Sequence, residues 1–126
     1  MKYQVGVDIF KMERMARVLK ENNPAYFQSV FTPEEMQAVN EYANVCTYFS
    51  TRFALKEAAF KALNTCWTEE MEWNQISTSG AHEQSPQVTY IGAMGCAAQE
   101  IGVKKVSASL SSDGGLAFAV VITEIS

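Results

Sequence analysis

The sequence predicts an α+β fold in which a small antiparallel sheet packs against helices. Apolar and polar residues alternate at the N-terminus. A second alternating stretch near the C-terminus runs through a glycine turn into an apolar run, and an alanine-rich helical segment lies between them. With 126 residues, nearly half of them hydrophobic, the chain is expected to form one domain, residues 1–126, with a moderate core.

Tyr3, Val5, Val7 and Ile9 alternate with Gln4, Gly6 and Asp8, the period of a strand with one buried face, which the apolar row is expected to supply. Asp8 then points to the other side near the strand's end, where it is suited to capping the following helix. That helix spans about Lys11–Glu21, with Met12, Met15, Ala16 and Leu19 on one face, and Asn22-Asn23-Pro24 ends it. Phe31-Thr32-Pro33-Glu34-Glu35-Met36 reads as a helix start, with Thr32 as N-cap, Pro33 at the first position, Glu35 completing a capping box and Phe31 stapled to Met36.

The most definite helix is Arg52-Phe53-Ala54-Leu55-Lys56-Glu57-Ala58-Ala59-Phe60-Lys61-Ala62-Leu63, which contains no Gly, Pro or β-branched residue and ends near Asn64. Phe53, Glu57 and Lys61 project from one side of it. Beyond an ambiguous stretch from Trp67 to Trp73, Gln75–Thr78 is expected to pair with Gln87–Ile91 across a polar loop that carries the single histidine, His82, as an exposed bystander. Ala93–Ile101 is a short helix stopped by Gly102. Val106, Ala108 and Leu110 then alternate with Ser107, Ser109 and Ser111, Ser112-Asp113-Gly114-Gly115 forms a turn, and Leu116–Ile122 has the pattern of a central strand.

A formal net charge of −4 excludes a nucleic-acid binder that relies on a broad basic surface. The early helix nevertheless concentrates Lys11, Arg14, Arg17 and Lys20, either a solvated face or a docking surface for an acidic partner. Cys46, Cys66 and Cys96 form no metal-binding or disulfide pattern and read as reduced, buried thiols. No segment has the length of a membrane span and the N-terminus lacks a signal-peptide pattern, so a soluble cytoplasmic protein is expected.

Glu57 and Lys61 at this spacing are either a surface ion pair or part of a site. An Asp at a strand end and a Glu on an apolar helix could together hold a hard divalent cation. Magnesium takes one or two carboxylates and completes its shell with water and phosphate oxygens, and lysines on the same helix suit a pyrophosphate-containing ligand.

Val5-Gly6-Val7-Asp8-Ile9 with Arg14, Phe31-Thr32-Pro33-Glu34-Glu35, the segment from Arg52 to Leu63, and Ser109-Leu110-Ser111-Ser112-Asp113 together resemble the holo-acyl-carrier-protein synthases, the small 4′-phosphopantetheinyl transferases. The resemblance implies an enzyme that transfers the phosphopantetheine arm of coenzyme A to a serine of an acyl carrier protein, releasing adenosine 3′,5′-bisphosphate. It implies Asp8 and Glu57 as ligands to Mg2+, and Glu57 and Lys61 as catalytic residues. Lys61, Ser111 and Ser112 would contact coenzyme A, and Arg14 and Arg17 would dock the carrier. It further implies a homotrimer with active sites between subunits. Where the family usually carries histidine at the hairpin tip this chain has Ser112, and where the family has glycine after the helix it has Asn64. Two readings follow: an active transferase, or a transferase-like protein that binds coenzyme A or a carrier without transfer.

Overall fold

The structure is a computed structural model that describes residues 1–80 and 85–126. Its elements run β1 (Lys2–Lys11), α1 (Met12–Glu21), α2 (Pro24–Val30), α3 (Pro33–Ala38), α4 (Val45–Lys61), β2 (Ile76–Ser79), β3 (Gln87–Tyr90), α5 (Gly92–Ile101), β4 (Val103–Asp113) and β5 (Leu116–Ile125). The three long strands form an antiparallel sheet in the order β1-β5-β4, and β2 pairs with β3 as a separate antiparallel ribbon. The expected α+β architecture is thus present, with α4 as the helix on which both sheets lean. His82 lies outside the described residues.

Local chemistry accounts for most boundaries. Thr32 and Glu35 form the reciprocal capping box at the start of α3, and Asn44 caps α4 by accepting from the Thr47 amide. Asn64, beyond the end of α4, and Gly102, after α5, both take left-handed backbone conformations. Helix α2, which the sequence pattern did not reveal, begins at Pro24 under an Asn23 cap and buries Phe27 and Val30. Phe31 is buried among Phe27 and Phe49, while Met36 is exposed.

The burial of β1 is the reverse of expectation. Tyr3, Val5, Val7 and Ile9 are all at least half exposed, and Gly6, Asp8 and Phe10 are buried against the helical layer. Gly6 explains the inversion. A Cβ at this position would stand 1.9 Å from the Ala58 carbonyl oxygen, so β1 and α4 meet backbone to backbone. Ala54, Ala58 and Ala62 of the α4 region, all fully buried, and Ala117, Ala119 and Val121 on the inner face of β5 continue this close packing. The outer face of the sheet keeps the apolar row of β1 together with the exposed Val120 and Ile122. Cys66 and Cys96 are likewise exposed and Cys46 is intermediate, correcting the expectation of buried thiols; all three are free.

A second tie crosses α4 on another face. Lys56 Nζ and Glu35 Oε1 form a fully buried ion pair at 2.8 Å. Glu35 also accepts from the Thr32 and Thr78 amides and the Thr78 hydroxyl, and Lys56 donates to the Trp73 and Ile76 carbonyls. Burial lowers the Lys56 pKa, against which Glu35 acts.

Gly6→Ala is expected to cost about 3 kcal/mol of stability in chemical denaturation, because backbone on both sides must move apart to admit one methyl group.

Candidate functional site

Asp8 is near the end of β1 on its inward row, paired across the sheet with Ala119. Its Oδ1 accepts from Lys61 Nζ at 3.0 Å, and Lys61 also donates to the Val7 carbonyl at 3.0 Å. Asp8 Oδ2 is buried and has no hydrogen-bond partner among the described residues. An uncompensated carboxylate oxygen in that position is costly unless a ligand or a protonated neighbouring group satisfies it.

Glu57, one turn before Lys61 on α4, faces the same carboxylate. Burial, a hydrogen bond that only its protonated form can donate to Asp8, and the charge of Asp8 raise its pKa from 4.5 to about 7; Lys61 and Arg14 act in the opposite direction. The lysine is therefore engaged with Asp8, and the Glu57–Lys61 ion pair that spacing allowed is not what forms. Among the described residues no third His, Cys, Asp or Glu joins the two carboxylates in a metal-binding group.

Beside this trio, Phe10, Arg14, Arg17, Glu21, Tyr26 and Phe53 are among the residues that line a cavity of about 360 Å³. The Arg14 guanidinium lies 5.0 Å from the centre of the Phe10 ring, while Arg17 reaches Glu13 at 3.8 Å on the open surface. The basic face of α1 thus opens next to the carboxylates, with Lys11 and Lys20 also exposed.

Ser111 and Ser112 lie elsewhere. They are at the exposed end of β4, opposite Phe118 and Ala117, and line another cavity of about 360 Å³ with Thr47, Thr51, Arg52 and Tyr48. Lys61 does not line it. Arg52 is the residue that sequence reasoning missed here. It is buried, its Nη2 donates to the Tyr42 hydroxyl at 2.9 Å, and its Nε and Nη1 are buried without partners among the described residues. Two unsatisfied guanidinium donors beside the hydroxyls of Thr47, Tyr48, Thr51, Ser111 and Ser112 make this an anion-seeking cavity. A buried Arg at the start of an otherwise apolar helical run was the available signal.

An α+β domain with a carboxylate pair and a lysine on one wall and an arginine-lined hydroxyl cavity on another is chemically suited to a ligand that bears phosphate groups. Comparison with known proteins agrees: the family described as "4'-phosphopantetheinyl transferase superfamily" matches residues 4–121. A holo-acyl-carrier-protein synthase from Geotalea daltonii is 35% identical over 122 residues, covering 97% of this chain and 98% of the relative. The crystal structure of the corresponding synthase from Neisseria meningitidis has a TM-score of 0.83 at 28% identity, covering 96% of this chain and 97% of that one. The Helicobacter pylori synthase, solved in complex with coenzyme A, has a TM-score of 0.79 at 26% identity, covering 95% and 99%. The chain belongs to the 4′-phosphopantetheinyl transferase superfamily, as an enzyme of the holo-acyl-carrier-protein synthase type.

Because the folded-state pKa of Glu57 is raised, folding takes up a proton there. The stabilisation is complete below about 4.5 and is lost as pH rises through about 7. Thermal melts of the metal-free protein in chelator are expected to show a melting temperature that falls between pH 5.5 and 8, with Glu57→Gln flattening that dependence.

Proposed function

We propose that the protein transfers the 4′-phosphopantetheine arm of coenzyme A to a serine of an acyl carrier protein and releases adenosine 3′,5′-bisphosphate. The observation that carries this reading is the carboxylate pair of buried Asp8 and half-buried Glu57 with Lys61 against it, one Asp8 oxygen having no partner among the described residues.

The donor set fits Mg2+. Two protein carboxylates, one with an oxygen unpartnered among the described residues and the other held back from ionising by burial and by the first, leave the remaining positions to water and phosphate oxygens, as magnesium prefers. When bound, the ion supplies Lewis-acid stabilisation of charge on the pyrophosphate of coenzyme A. Asp8 and Glu57 would hold it, and Lys61, released from Asp8, would face the pyrophosphate. There the ammonium stabilises charge on the departing bisphosphate or passes it a proton. The carrier serine oxygen bonds to the phosphorus that bears the pantetheine arm, and the bridging P–O bond to the bisphosphate breaks.

Arg52, Ser111 and Ser112 offer donors for the remaining phosphate of the coenzyme. Arg14 and Arg17, beside the carboxylates, are placed to guide an acidic carrier. The exposed apolar outer face of the sheet, with Tyr3, Val5, Val7, Ile9, Val120 and Ile122, supports association into a homotrimer. Three free thiols suit the reducing cytoplasm, and no helix among the described residues is long and apolar enough to cross a membrane.

Ser112 favours the second reading, binding without transfer, since a hydroxyl cannot supply the charge or basicity of histidine near neutral pH. Intact mass of an apo carrier after incubation with protein, Mg2+ and coenzyme A decides between them. Gain of the arm is expected, and no gain on any carrier overturns transfer. Asp8→Asn and Glu57→Gln are expected to lower the rate about 100-fold or more while the melt stays cooperative.

Reversing the basic face with Arg14→Glu and Arg17→Glu is expected to raise the KM for the carrier about tenfold, with a smaller change for coenzyme A. Steady-state kinetics with each substrate varied in turn checks this.

A further inference from the structure

A row of aromatic rings flanks the carboxylate site and has no part in its electrostatics. Phe53 and Phe60 stand on α4 about one turn before and one turn after Glu57. Trp73 lies against both, with ring centroids 5.8 and 6.0 Å away. Trp67 packs on Trp73 at 4.7 Å and on Phe60 at 5.2 Å. It ends the row with 43% of its surface exposed, beside the turn that carries Lys61. A tryptophan held by two other rings and open on its remaining face is a rigid apolar shelf with little conformational freedom to lose on binding.

Charge decides what the shelf can take. From residue 62 to residue 80 there is no Lys, Arg or His, and Glu69, Glu70 and Glu72 are all exposed. A phosphate would be repelled there, whereas the Arg52 cavity offers unsatisfied donors. Coenzyme A has one highly charged end, with its nucleotide phosphates, and one neutral end, with its amides and thiol. With the pyrophosphate at Lys61, the neutral end is the one that matches the aromatic row.

We propose that Trp67, backed by Trp73 and Phe60, receives the thiol end of the coenzyme's arm, so that apolar acyl thioesters of coenzyme A are preferred over the free thiol. The inference rests on the transferase reading. A bare thiol leaves most of the exposed indole in water, and an aliphatic acyl chain covers it. The chemistry at phosphorus is unchanged. The serine oxygen forms the new P–O bond, the bridging P–O bond breaks, the serine proton leaves with the bisphosphate or to water, and the C–S bond remains intact. The carrier therefore receives an arm that is already acylated.

The test compares coenzyme A with octanoyl-coenzyme A as donors to the same apo carrier with Mg2+, product being followed by intact mass. The kcat/KM for the octanoyl thioester is expected to exceed that for coenzyme A about tenfold. This ratio should fall to about one in Trp67→Ala and be retained in Trp67→Phe. A ratio of one in the unsubstituted protein, or a ratio that Trp67→Ala leaves unmoved, overturns the proposal. Calorimetric titration with both ligands separates the two readings. If neither donor is used but octanoyl-coenzyme A binds more tightly in a manner that requires Trp67, the shelf stands and transfer falls. Equal binding of thioester and thiol overturns the shelf.

Discussion

The rest of the structure depends on the contact between Gly6 of β1 and the backbone of α4 at Ala58. Strand and helix approach so closely that no Cβ fits between them. The alanines on both sides keep the layers at that spacing over the length of the helix. Aspartate has a short side chain, and Asp8, two residues beyond the glycine on the same row, reaches Lys61 only because the layers are this near. The glycine therefore sets the dimensions of the site as well as the packing of the core. It also turns the apolar row of β1 outward, which leaves a sheet surface suited to covering by other copies of the chain.

The Glu35–Lys56 pair performs a separate task. One carboxylate caps α3, holds the start of the β2–β3 ribbon through Thr78 and neutralises a fully buried ammonium, whose other donors hold the segment around Trp73 and Ile76. A buried pair is weak evidence for net stability against an apolar replacement, but removal of one partner leaves an uncompensated charge in the core. Because the ammonium and carboxylate have several further partners each, the pair acts as a connector among α3, α4 and the segment before β2. Lys56 and Glu57 are adjacent in sequence yet about a quarter-turn apart around α4. That rotation sends the first into the structural tie and the second toward Asp8.

The two walls carry unsatisfied charge of opposite sign. At Asp8 and Glu57, partial burial and then the crowding of two carboxylates keep Glu57 partly protonated near neutral pH. At Arg52 there are more guanidinium donors than acceptors. Buried groups of either sign left in this condition cost stability in the free protein and are relieved by ligands of complementary charge. A divalent cation bound to a phosphate ester would supply both kinds of relief, as the proposed function requires.

Much of the fold was legible from local rules. The capping box at Thr32 and Glu35, the helix containing Glu57 and Lys61, the pairing of β2 with β3 and the hairpin ending at Ser112 all follow from periodicity and turn chemistry, which act over a few residues. The motifs also singled out Asp8, Glu57 and Lys61, which the fold brings together. By itself, then, the sequence determined most of the elements, α2 excepted, and named the residues of the carboxylate cluster. Tertiary structure decided which face of β1 is buried, that Lys61 pairs with Asp8 in place of Glu57, that Arg52 is buried with unfilled donors, and that Lys56 is a structural residue. The physical reason is distance along the chain. Alternation marks two faces of a strand but cannot say which one a glycine will press against a helix more than fifty residues away, and the worth of a charge depends on neighbours that only folding supplies.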